Sequence, residues 1–310
     1  MEKTFAIVNG NSSACKGKEI WDKIFPDLEK EYGPIDVFIS YSLEESELVL
    51  QQKIESGVRN FIAAGGDGAV NFVLNTIIQN KKNIPLNHFT IGAVGLGSSN
   101  DFHKPFKTKI QKIPVRVNFA SSHLRDVASV KYRDLQGKTQ THYFLVSSSV
   151  GIVADANKNF NRNSKFLNFL KRNSTDLAIL YAFFYTLKRY KNFPIKIKFD
   201  GKEGVYHVSY LAISKTRHIS GMFHFKDDIE TDDGQLLVKL LHNYSKAKLI
   251  WAMLKFAFGK ENGLTNLKTT ILTNISMVSE DYFIFEMDGE TVECDRVDIT
   301  VYKEKIKVSS

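Results

Sequence analysis

The hydrophobic residues of the first 110 positions fall into two kinds of segment that alternate along the chain. Short apolar runs predict strands, and the longer stretches between them, with apolar residues every three or four positions, predict helices. Strands that are separated by helices are typical of a parallel sheet with right-handed crossovers. The predicted strands cover residues 4–9, 35–40, 60–64 and 88–94, and the predicted helices cover 17–30, 44–56 and 70–80.

The pattern changes after the fourth predicted strand. Strand-like runs then follow one another closely, and several alternate cleanly between apolar and polar residues, as in Ile195–Phe199. Such a succession predicts an antiparallel domain with the character of a sandwich or a barrel. The runs cover 115–119, 126–132, 142–150, 195–199, 205–213, 236–241, 268–277, 282–287 and 297–308, and helices are predicted near 163–191 and 245–259. We therefore expect an α/β domain over residues 1–115 and an antiparallel β-sandwich domain over residues 116–310.

Composition narrows the class of protein. With 43% hydrophobic and 25% charged residues, the 310-residue chain has the balance of a globular protein with a substantial core. The two cysteines, Cys15 and Cys294, form no CxxC pair, which indicates a reducing compartment and argues against a disulfide framework or a zinc site. The chain opens without a signal-peptide pattern, and its longest uncharged apolar stretch, 177–187, is too short to span a bilayer. We expect a cytoplasmic protein.

The net charge of +8 favours anionic partners, whether nucleic acid, anionic lipid or a phosphorylated substrate. The lysines and arginines are distributed along the chain rather than collected in one arm, and no nucleic-acid-binding motif accompanies them. We therefore expect no nucleic-acid partner.

Two glycine-rich turns follow the third and fourth predicted strands. The first reads Gly65-Gly66-Asp67-Gly68 and precedes a helix with Asn71, and the second reads Gly95-Leu-Gly97-Ser98-Ser99-Asn100-Asp101. Glycines let the backbone approach a phosphate closely, and N–H groups at a helix start favour an anion. A plain strand-to-helix turn explains the first segment alone equally well. Two such turns at neighbouring strand ends favour a nucleotide site, although neither the P-loop nor the GxGxxG pattern occurs.

These segments resemble the diacylglycerol kinase catalytic family, which includes sphingosine kinases and bacterial lipid kinases. The family segment GGDGTxNEV corresponds here to Gly65–Val73, and the family segment GTxND corresponds to Gly97–Asp101. The further matches are Asn9 at the end of the first strand, Arg125-Asp126-Val127, Tyr143–Gly151, Asp232-Asp233-Gly234 before Leu236-Leu237, and Met287-Asp288-Gly289-Glu290.

The resemblance implies a phosphofructokinase- or NAD-kinase-like parallel-sheet domain and a C-terminal antiparallel β-sandwich, with the active site between them. The last strands either close the second domain or pack back toward the first. The implied activity is an ATP-dependent lipid kinase that phosphorylates diacylglycerol or a sphingoid-base-like acceptor, with ATP and Mg²⁺ as cofactors. The implied partners are a lipid substrate and, transiently, a membrane surface, and a homodimer is compatible with the sequence. The nucleotide-binding residues would be Asn9, Asn11, Ser13, Gly65, Gly66, Asp67, Gly68, Asn71, Gly97, Ser98, Asn100 and Asp101.

Three carboxylates compete for the role of the base that accepts the proton of the acceptor hydroxyl. Glu290 and Asp126 resemble the pair at the family's catalytic centre, and our hypothesis is that Glu290 is the base and Asp126 orients it or the hydroxyl. Asp67 is the rival, because sphingosine-kinase-like proteins have been interpreted with this aspartate as the base. An ordinary Asp-Gly hairpin turn is the alternative explanation for the segment that contains Glu290.

The acidic pair Asp232 and Asp233 resembles a structural magnesium site of bacterial family members. An exposed acidic turn explains the same residues equally well.

The chain also departs from the family pattern. Ala69 replaces the threonine of GGDGT, Phe72 replaces the glutamate of NEV, and the loop Gly10–Ser13 lacks the usual proline and glycine. Two alternatives therefore stay open: a catalytically weak or dead relative that binds nucleotide or lipid, and a NAD-kinase-like kinase of a soluble substrate.

Two aromatic-rich helical stretches, 166–190 and 248–258, carry lysines and arginines near their ends. Such helices can lie in a membrane interface. A helix that covers a sheet with its apolar face is the favoured interpretation of both.

Overall fold

The computed structural model describes residues 3–199 and 201–310. The chain divides into two compact units, each with its own sheet. Unit 1 comprises Met1–Val127 and Lys303–Ser310, and unit 2 comprises Ala128–Tyr302.

Unit 1 begins with alternating strands and helices, as the hydrophobic pattern predicts. Three short 3-10 helices cover Leu86–His88, Asp101–His103 and Phe119–Ser121. The other elements are β1 (Thr4–Asn9), α1 (Ser12–Cys15), α2 (Gly17–Tyr32), β2 (Ile35–Ser40), α3 (Leu43–Glu55), β3 (Asn60–Gly65), α4 (Asp67–Asn80), β4 (Thr90–Gly95), β5 (Thr108–Ile110), β6 (Ile113–Arg116), β7 (His123–Arg125) and, at the end of the chain, β19 (Ile306–Val308).

The sheet of unit 1 has the strand order β2-β1-β3-β4-β19-β7, and β1 to β4 and β19 pair in parallel. β3 and β4 are buried along their whole length, which explains why both read as continuous apolar runs. α2 places Trp21, Ile24 and Leu28 in the core beside β1 at the spacing of one helical face. The predicted α/β class is confirmed.

The boundary that we expected at residue 115 differs from the observed division after Val127. β6 pairs with β4 and β7 pairs with β19, so both add antiparallel strands to the sheet of unit 1. The predicted strand at 297–308 is two strands, and the second of them, β19, pairs with β4. The sequence could not show this, because alternation of apolar residues does not tell which sheet a strand joins.

Unit 2 consists mainly of antiparallel strands with helices inserted after its third strand and its eighth. Its elements are β8 (Ala128–Arg133), β9 (Thr139–Phe144), β10 (Ser147–Gly151), α5 (Ile152–Asn161), α6 (Lys165–Asn173), α7 (Thr175–Arg189), β11 (Phe193–Phe199), β12 (Lys202–Ser214), β13 (His218–Ile219), β14 (Phe223–His224), β15 (Leu236–His242), α8 (Lys246–Ala257), β16 (Leu267–Leu272), β17 (Asn274–Met287) and β18 (Glu290–Val301).

The main sheet of unit 2 has the order β16-β15-β12-β10-β17-β18-β8-β9, and every pair in it is antiparallel. β12 and β17 are long strands, and each pairs with β10 along one part of its length. β11 pairs with both of them along another part. The antiparallel C-terminal domain is therefore confirmed. Its strands form one sheet, because β12 and β17 each continue past two different neighbours, except for β13 and β14, which pair only with each other in a separate two-stranded sheet among the described residues.

The predicted helix at 163–191 is two helices. Ser174 is extended, with φ −157°, and its hydroxyl caps α7 by accepting a hydrogen bond from the N–H of Leu177. α5, which precedes them, was not predicted. Among the residues that the structure describes, no helix is long and apolar enough to cross a membrane.

Candidate active site

Three neighbouring strands of unit 1 end at the same edge of its sheet. β1, β3 and β4 run in parallel, and Gly65 at the end of β3 pairs with Gly95 at the end of β4. This edge collects all twelve predicted nucleotide-binding residues, because the segments that follow the three strands all begin there. The residues that it gathers are Asn9, Asn11, Ser13, Gly65, Gly66, Asp67, Gly68, Asn71, Gly97, Ser98, Asn100 and Asp101.

The two glycine turns touch through their backbones. A Cβ atom added to Gly97 would lie 2.3 Å from the Cα atom of Gly66, and one added to Gly65 would lie 2.5 Å from Cβ of Ala69. No other residue fits Gly97 without a backbone shift. The glycines thus bring the start of α4 into contact with the turn after β4.

Asp67 holds the two glycine turns together through hydrogen bonds. Its Oδ2 accepts a hydrogen bond of 3.0 Å from the N–H of Asp101, and its Oδ1 accepts one of 2.9 Å from the N–H of Phe102. Both carboxylate oxygens of the first residue of α4 are therefore engaged by the backbone of the second turn. This geometry suits a positioning residue better than a base.

Asn100 shapes the second turn through hydrogen bonds to the backbone of Gly97. Asn100 is left-handed, with φ 50°, a conformation that asparagine tolerates better than most residues. Its Oδ1 accepts from the N–H of Gly97 at 3.1 Å, and its Nδ2 donates to the carbonyl of Gly97 at 2.9 Å. Asp101 is buried and pairs with Lys104 at 2.7 Å, and Ser98 is exposed. Asn100 therefore holds the turn in shape, and Asp101 binds the lysine that follows it, while nucleotide binding by either residue stays a prediction.

The loop after β1 is tied to the second turn. Asn9 Oδ1 accepts from the N–H of Asn11 at 3.0 Å, and Ser13 Oγ donates to the carbonyl of Leu96 at 2.6 Å. Gly17 has no room for a side chain, since a Cβ there would lie 2.3 Å from the carbonyl oxygen of Asn9. All three strand-end segments are thus linked to one another.

Asp126 lies in unit 1, one residue after β7. Its side chain is almost fully buried, and Lys305 Nζ lies 3.5 Å from its Oδ1. The neighbouring Arg125 is also buried, with its guanidinium over the ring of Phe102. Sequence reasoning did not indicate Lys305, because its ion pair with Asp126 depends on the pairing of β19 with β7.

In unit 2, Glu290 begins β18 directly after a tight hairpin turn. Asp288 and Gly289 have φ values of 44° and 96°, and Met287 pairs with Glu290 across the turn. Positive φ at both central residues of a two-residue loop is typical of a type I′ hairpin. The Glu290 side chain reaches solvent, while the protein atoms around its carboxyl raise its pKa by partial desolvation.

Two buried carboxylates that sequence reasoning missed fix this hairpin. Asp288 accepts hydrogen bonds from three consecutive N–H groups of Leu145–Ser147, at 2.9, 3.0 and 2.9 Å. Glu286 accepts from Ser149 Oγ and from the N–H of Gly289, both at 2.7 Å. The sequence contained no signal for this contact, because 142–150 reads as one continuous strand. The break between β9 and β10, which leaves backbone N–H groups that need an acceptor, is seen only in the structure.

The acidic pair Asp232–Asp233 lies beside a buried lysine. Lys215 is fully buried, and its ammonium donates to Asp233 Oδ1 at 2.7 Å and to the carbonyl of Gln235 at 2.6 Å. Over the described parts of the chain there is also no group of three His, Cys, Asp or Glu side chains that could hold a metal ion. The ammonium of Lys215 thus contacts one oxygen of Asp233 and one carbonyl of the turn, and the metal site at Asp232 and Asp233 stays a prediction.

Comparison with known proteins agrees with this geometry. Residues 3–132 match the family model described as the diacylglycerol kinase catalytic domain. The resemblance to this family that the sequence motifs predicted is confirmed over these residues. A diacylglycerol kinase of Staphylococcus carnosus is 22% identical over 253 residues, which cover 80% of this chain and 76% of the relative. A diacylglycerol kinase of Staphylococcus saprophyticus is 23% identical over 294 residues, which cover 94% of this chain and 90% of the relative.

Solved structures share the fold. A diacylglycerol kinase from Bacillus anthracis superposes with a TM-score of 0.66 at 17% identity, covering 99% of this chain and 96% of that one. Yeast NADH kinase superposes with a TM-score of 0.51 at 10% identity, covering 100% of this chain and 83% of that one. At these identities the likeness shows the fold alone, and it confirms the predicted fold class.

Proposed function

We propose that the chain is an ATP-dependent lipid kinase, which transfers the γ-phosphoryl group of MgATP to a hydroxyl of a diacylglycerol-like or sphingoid-base-like lipid. The observation that carries the proposal is the contact between the two glycine turns, Gly65–Gly68 and Gly97–Asp101, at the sheet edge of unit 1. Gly66 and Gly97 meet there through their backbones, and Asp67 holds the two turns together. Backbone N–H groups of such glycine-rich turns are typical phosphate ligands. The diacylglycerol kinases among the relatives support the lipid class of the acceptor.

Unit 1 would bind the nucleotide. α4 begins at Asp67, and the helix dipole together with the N–H groups of the first turn favours a phosphate group there. Asn9, Asn11 and Ser13 lie on the adjoining loop. Magnesium would arrive as part of the MgATP substrate, since this ion keeps most of its waters and binds phosphates with few protein ligands. Its charge would offset the charge that develops on the transferred group.

Glu290 would act as the general base. Partial desolvation raises the pKa of its carboxyl, which makes it a better proton acceptor than an ordinary exposed glutamate. Glu286 and Asp288 would act as positioning residues, because they hold the turn that precedes it. Asp126, beside the ammonium of Lys305, would orient the hydroxyl or the base. Asp67 would position the nucleotide turns rather than accept the proton.

A cytoplasmic enzyme of this kind would meet its acceptor at a membrane surface, because such lipids reside in bilayers. The departures at Ala69 and Phe72 leave the nucleotide turns without one hydroxyl and one carboxylate of the family pattern. We propose that turnover persists despite them, since phosphoryl transfer depends mainly on positioning and charge neutralisation.

The test is ADP release from MgATP with mixed micelles of diacylglycerol, monoacylglycerol, sphingosine or ceramide, and with NAD as a soluble acceptor. We expect lipid-dependent turnover that falls by about 10²-fold or more in Glu290→Gln. Glu293→Gln is the matched control, because Glu293 lies on the same strand and pairs with Lys158 at the surface. Turnover with NAD but with none of the lipids would show that the acceptor is a soluble molecule rather than a lipid. ATP binding without ADP release would identify a binding protein.

A further inference from the structure

A buried arginine lies beside the segment that follows the second glycine turn, Gly97–Asp101. Arg116 is the last residue of β6 and pairs with Ala93, two residues before the end of β4. Only 8% of Arg116 is exposed. Its Nη1 donates a hydrogen bond of 3.2 Å to the carbonyl of Phe102, which belongs to the 3-10 helix after the turn. The guanidinium therefore lies inside unit 1, close to the sheet edge.

Arg116 has no carboxylate partner among the residues that the structure describes. Burial is what lowers the pKa of its guanidinium, with no acidic group raising it again. The two carboxylates of the glycine turns have other contacts: Asp67 accepts two backbone N–H groups, and Asp101 pairs with Lys104. Because arginine keeps its charge inside proteins, a full positive charge is buried here without an opposite charge in contact.

The groups around Arg116 are neutral or apolar. His103 is only 3% exposed, and its Nδ1 has no hydrogen-bond partner in the described parts of the chain. Burial, followed by the charge of Arg116, lowers the pKa of His103 to about 3, so this imidazole adds no second charge near neutral pH. The ring centroid of Phe102 lies 5.7 Å from the guanidinium. Water and salt screen a charge in such surroundings less than a charge at the surface.

A short series of contacts connects Arg116 with the proposed phosphate site. The carbonyl of Phe102 accepts from Arg116, and the N–H of Phe102 donates to Asp67, the first residue of α4. A Cβ atom added to Gly95, at the end of β4, would lie 3.1 Å from Nε2 of His103. The buried cation thus lies directly behind the strand end and the helix start that would face the phosphates.

We propose that Arg116 stabilises the phosphate chain of bound ATP electrostatically, from behind the glycine turns and without touching the nucleotide. This role rests on the nucleotide-binding function proposed above for unit 1. A unit charge about 10 Å from another inside a protein changes affinity by on the order of tenfold. The gain grows with the number of phosphate charges on the ligand, and an uncharged nucleoside gains nothing.

Arg125 is the other buried arginine at this place, with its guanidinium 5.5 Å from the ring centroid of Phe102. It is followed directly by the buried carboxylate of Asp126. The chain neighbours of Arg116 are instead Val115 and Val117, which are both buried and apolar. The uncompensated charge is therefore assigned to Arg116.

The test compares the affinities of the full chain for ATP, ADP, AMP and adenosine by isothermal titration, with no acceptor present. Arg116→Gln removes the charge but keeps an N–H donor for the carbonyl of Phe102. We expect this variant to weaken ATP binding by about tenfold, ADP binding less, AMP binding least and adenosine binding not at all. Arg116→Lys keeps the charge and should retain most of the affinity for ATP.

The matched control is Arg59→Gln. Arg59 also lies over a ring, that of Phe89, and also donates to backbone carbonyls. It precedes β3, however, at the end of that strand opposite to the glycine turns. This variant should bind all four ligands like the unaltered chain. As a second measurement, inorganic tripolyphosphate should raise the Tm of the unaltered chain and of Arg116→Lys by more than that of Arg116→Gln.

Equal losses of ATP and adenosine affinity in Arg116→Gln would show a purely structural role and overturn the proposal. Unchanged ATP affinity in this variant, or an equal loss in Arg59→Gln, would overturn it as well. The kinase function can fail separately, because no acceptor is used. ATP binding that depends on Arg116 without any lipid-dependent ADP release would support this role and contradict the lipid kinase. Lipid-dependent turnover with an ATP affinity that ignores Arg116 would do the reverse.

Discussion

The carboxylate of Asp67 holds the backbone of Asp101 from a distance of 34 residues in sequence, through a hydrogen bond of 3.0 Å from the Asp101 N–H to Asp67 Oδ2. Its other oxygen accepts from the N–H of Phe102. One side chain therefore determines how two glycine turns sit against each other.

We expect Asp67→Asn to act mainly on ATP binding, which it should weaken, rather than on the phosphoryl transfer step. The reason is that an amide cannot accept hydrogen bonds at both of its ends. The free energy of unfolding should fall by about 1–3 kcal/mol, since the backbone N–H that faces the amide nitrogen loses its acceptor. Isothermal titration with ATP and urea unfolding measure the two effects. Asp36→Asn is the control, because Asp36 forms only a surface ion pair with Lys53. Unchanged ATP affinity in Asp67→Asn would contradict the positioning role.

Gly97→Ala should separate the glycine turns. The new Cβ would lie 2.3 Å from Cα of Gly66, and neither backbone can move as a flexible side chain would. We expect a loss of about 1–3 kcal/mol in the free energy of unfolding and a large loss of ATP affinity. Gly137→Ala is the control: Gly137 has φ 76° and open space around it, so it should lose about 1–2 kcal/mol of stability through backbone strain but keep its ATP affinity.

The sequence predicted the sheet edge of unit 1 well, because each part of it is coded locally. Gly65–Gly68 and Gly97–Asp101 follow apolar runs directly, and parallel strands bring their carboxyl ends to one edge. The order of the strands in unit 2 could not be predicted in this way. β12 and β17 each pair with two neighbours along their length, and nothing in a strand's alternation identifies those neighbours.

The groups that pair with the candidate carboxylates were also beyond sequence reasoning. Lys305 lies near Asp126 only because the last strand joins the first sheet, and Lys215 lies near Asp233 only because β12 ends beside the acidic turn. Such pairs have no fixed spacing, whereas the Asp-Gly turn before Glu290 has one and was predicted.

Asp288→Asn should disturb the hairpin that carries Glu290. Asp288 is buried and accepts three backbone hydrogen bonds, and its Oδ2 receives that of Leu145. An amide placed there would set two N–H donors against each other, so we expect a loss of about 1–3 kcal/mol in the free energy of unfolding. Turnover should fall while ATP affinity is kept, because the nucleotide turns lie in unit 1. Asp281→Asn, on an exposed position of the same strand, is the control. Normal turnover in Asp288→Asn would argue against Glu290 as the base.

His103 should make unit 1 sensitive to acid. Burial, followed by the nearby charge of Arg116, lowers the pKa of His103 to about 3. Because the folded pKa lies below that of the unfolded chain, the stabilising contribution is complete above about pH 6.5 and is lost as the pH falls toward 3. At pH 5 this loss amounts to about 2 kcal/mol. The free energy of unfolding, measured with urea, should differ less between pH 7.5 and pH 5 for His103→Asn than for the unaltered chain. His88→Asn, at an exposed position, is the control and should show the same difference as the unaltered chain.

The acidic turn of unit 2 should be stable without magnesium. The ammonium of Lys215 is fully buried and contacts both Asp233 and the carbonyl of Gln235, so it supplies the positive charge that a bound ion would supply. We expect the Tm to be the same with excess EDTA and with added Mg²⁺. Lys215→Met should lower the free energy of unfolding by about 1–3 kcal/mol, because it removes the two hydrogen bonds that the ammonium donates to Asp233 and to the carbonyl of Gln235. Exposed Lys226→Met, on the loop before that turn, should have little effect. A Tm that falls on chelation in the unaltered chain would restore the metal site at Asp232 and Asp233.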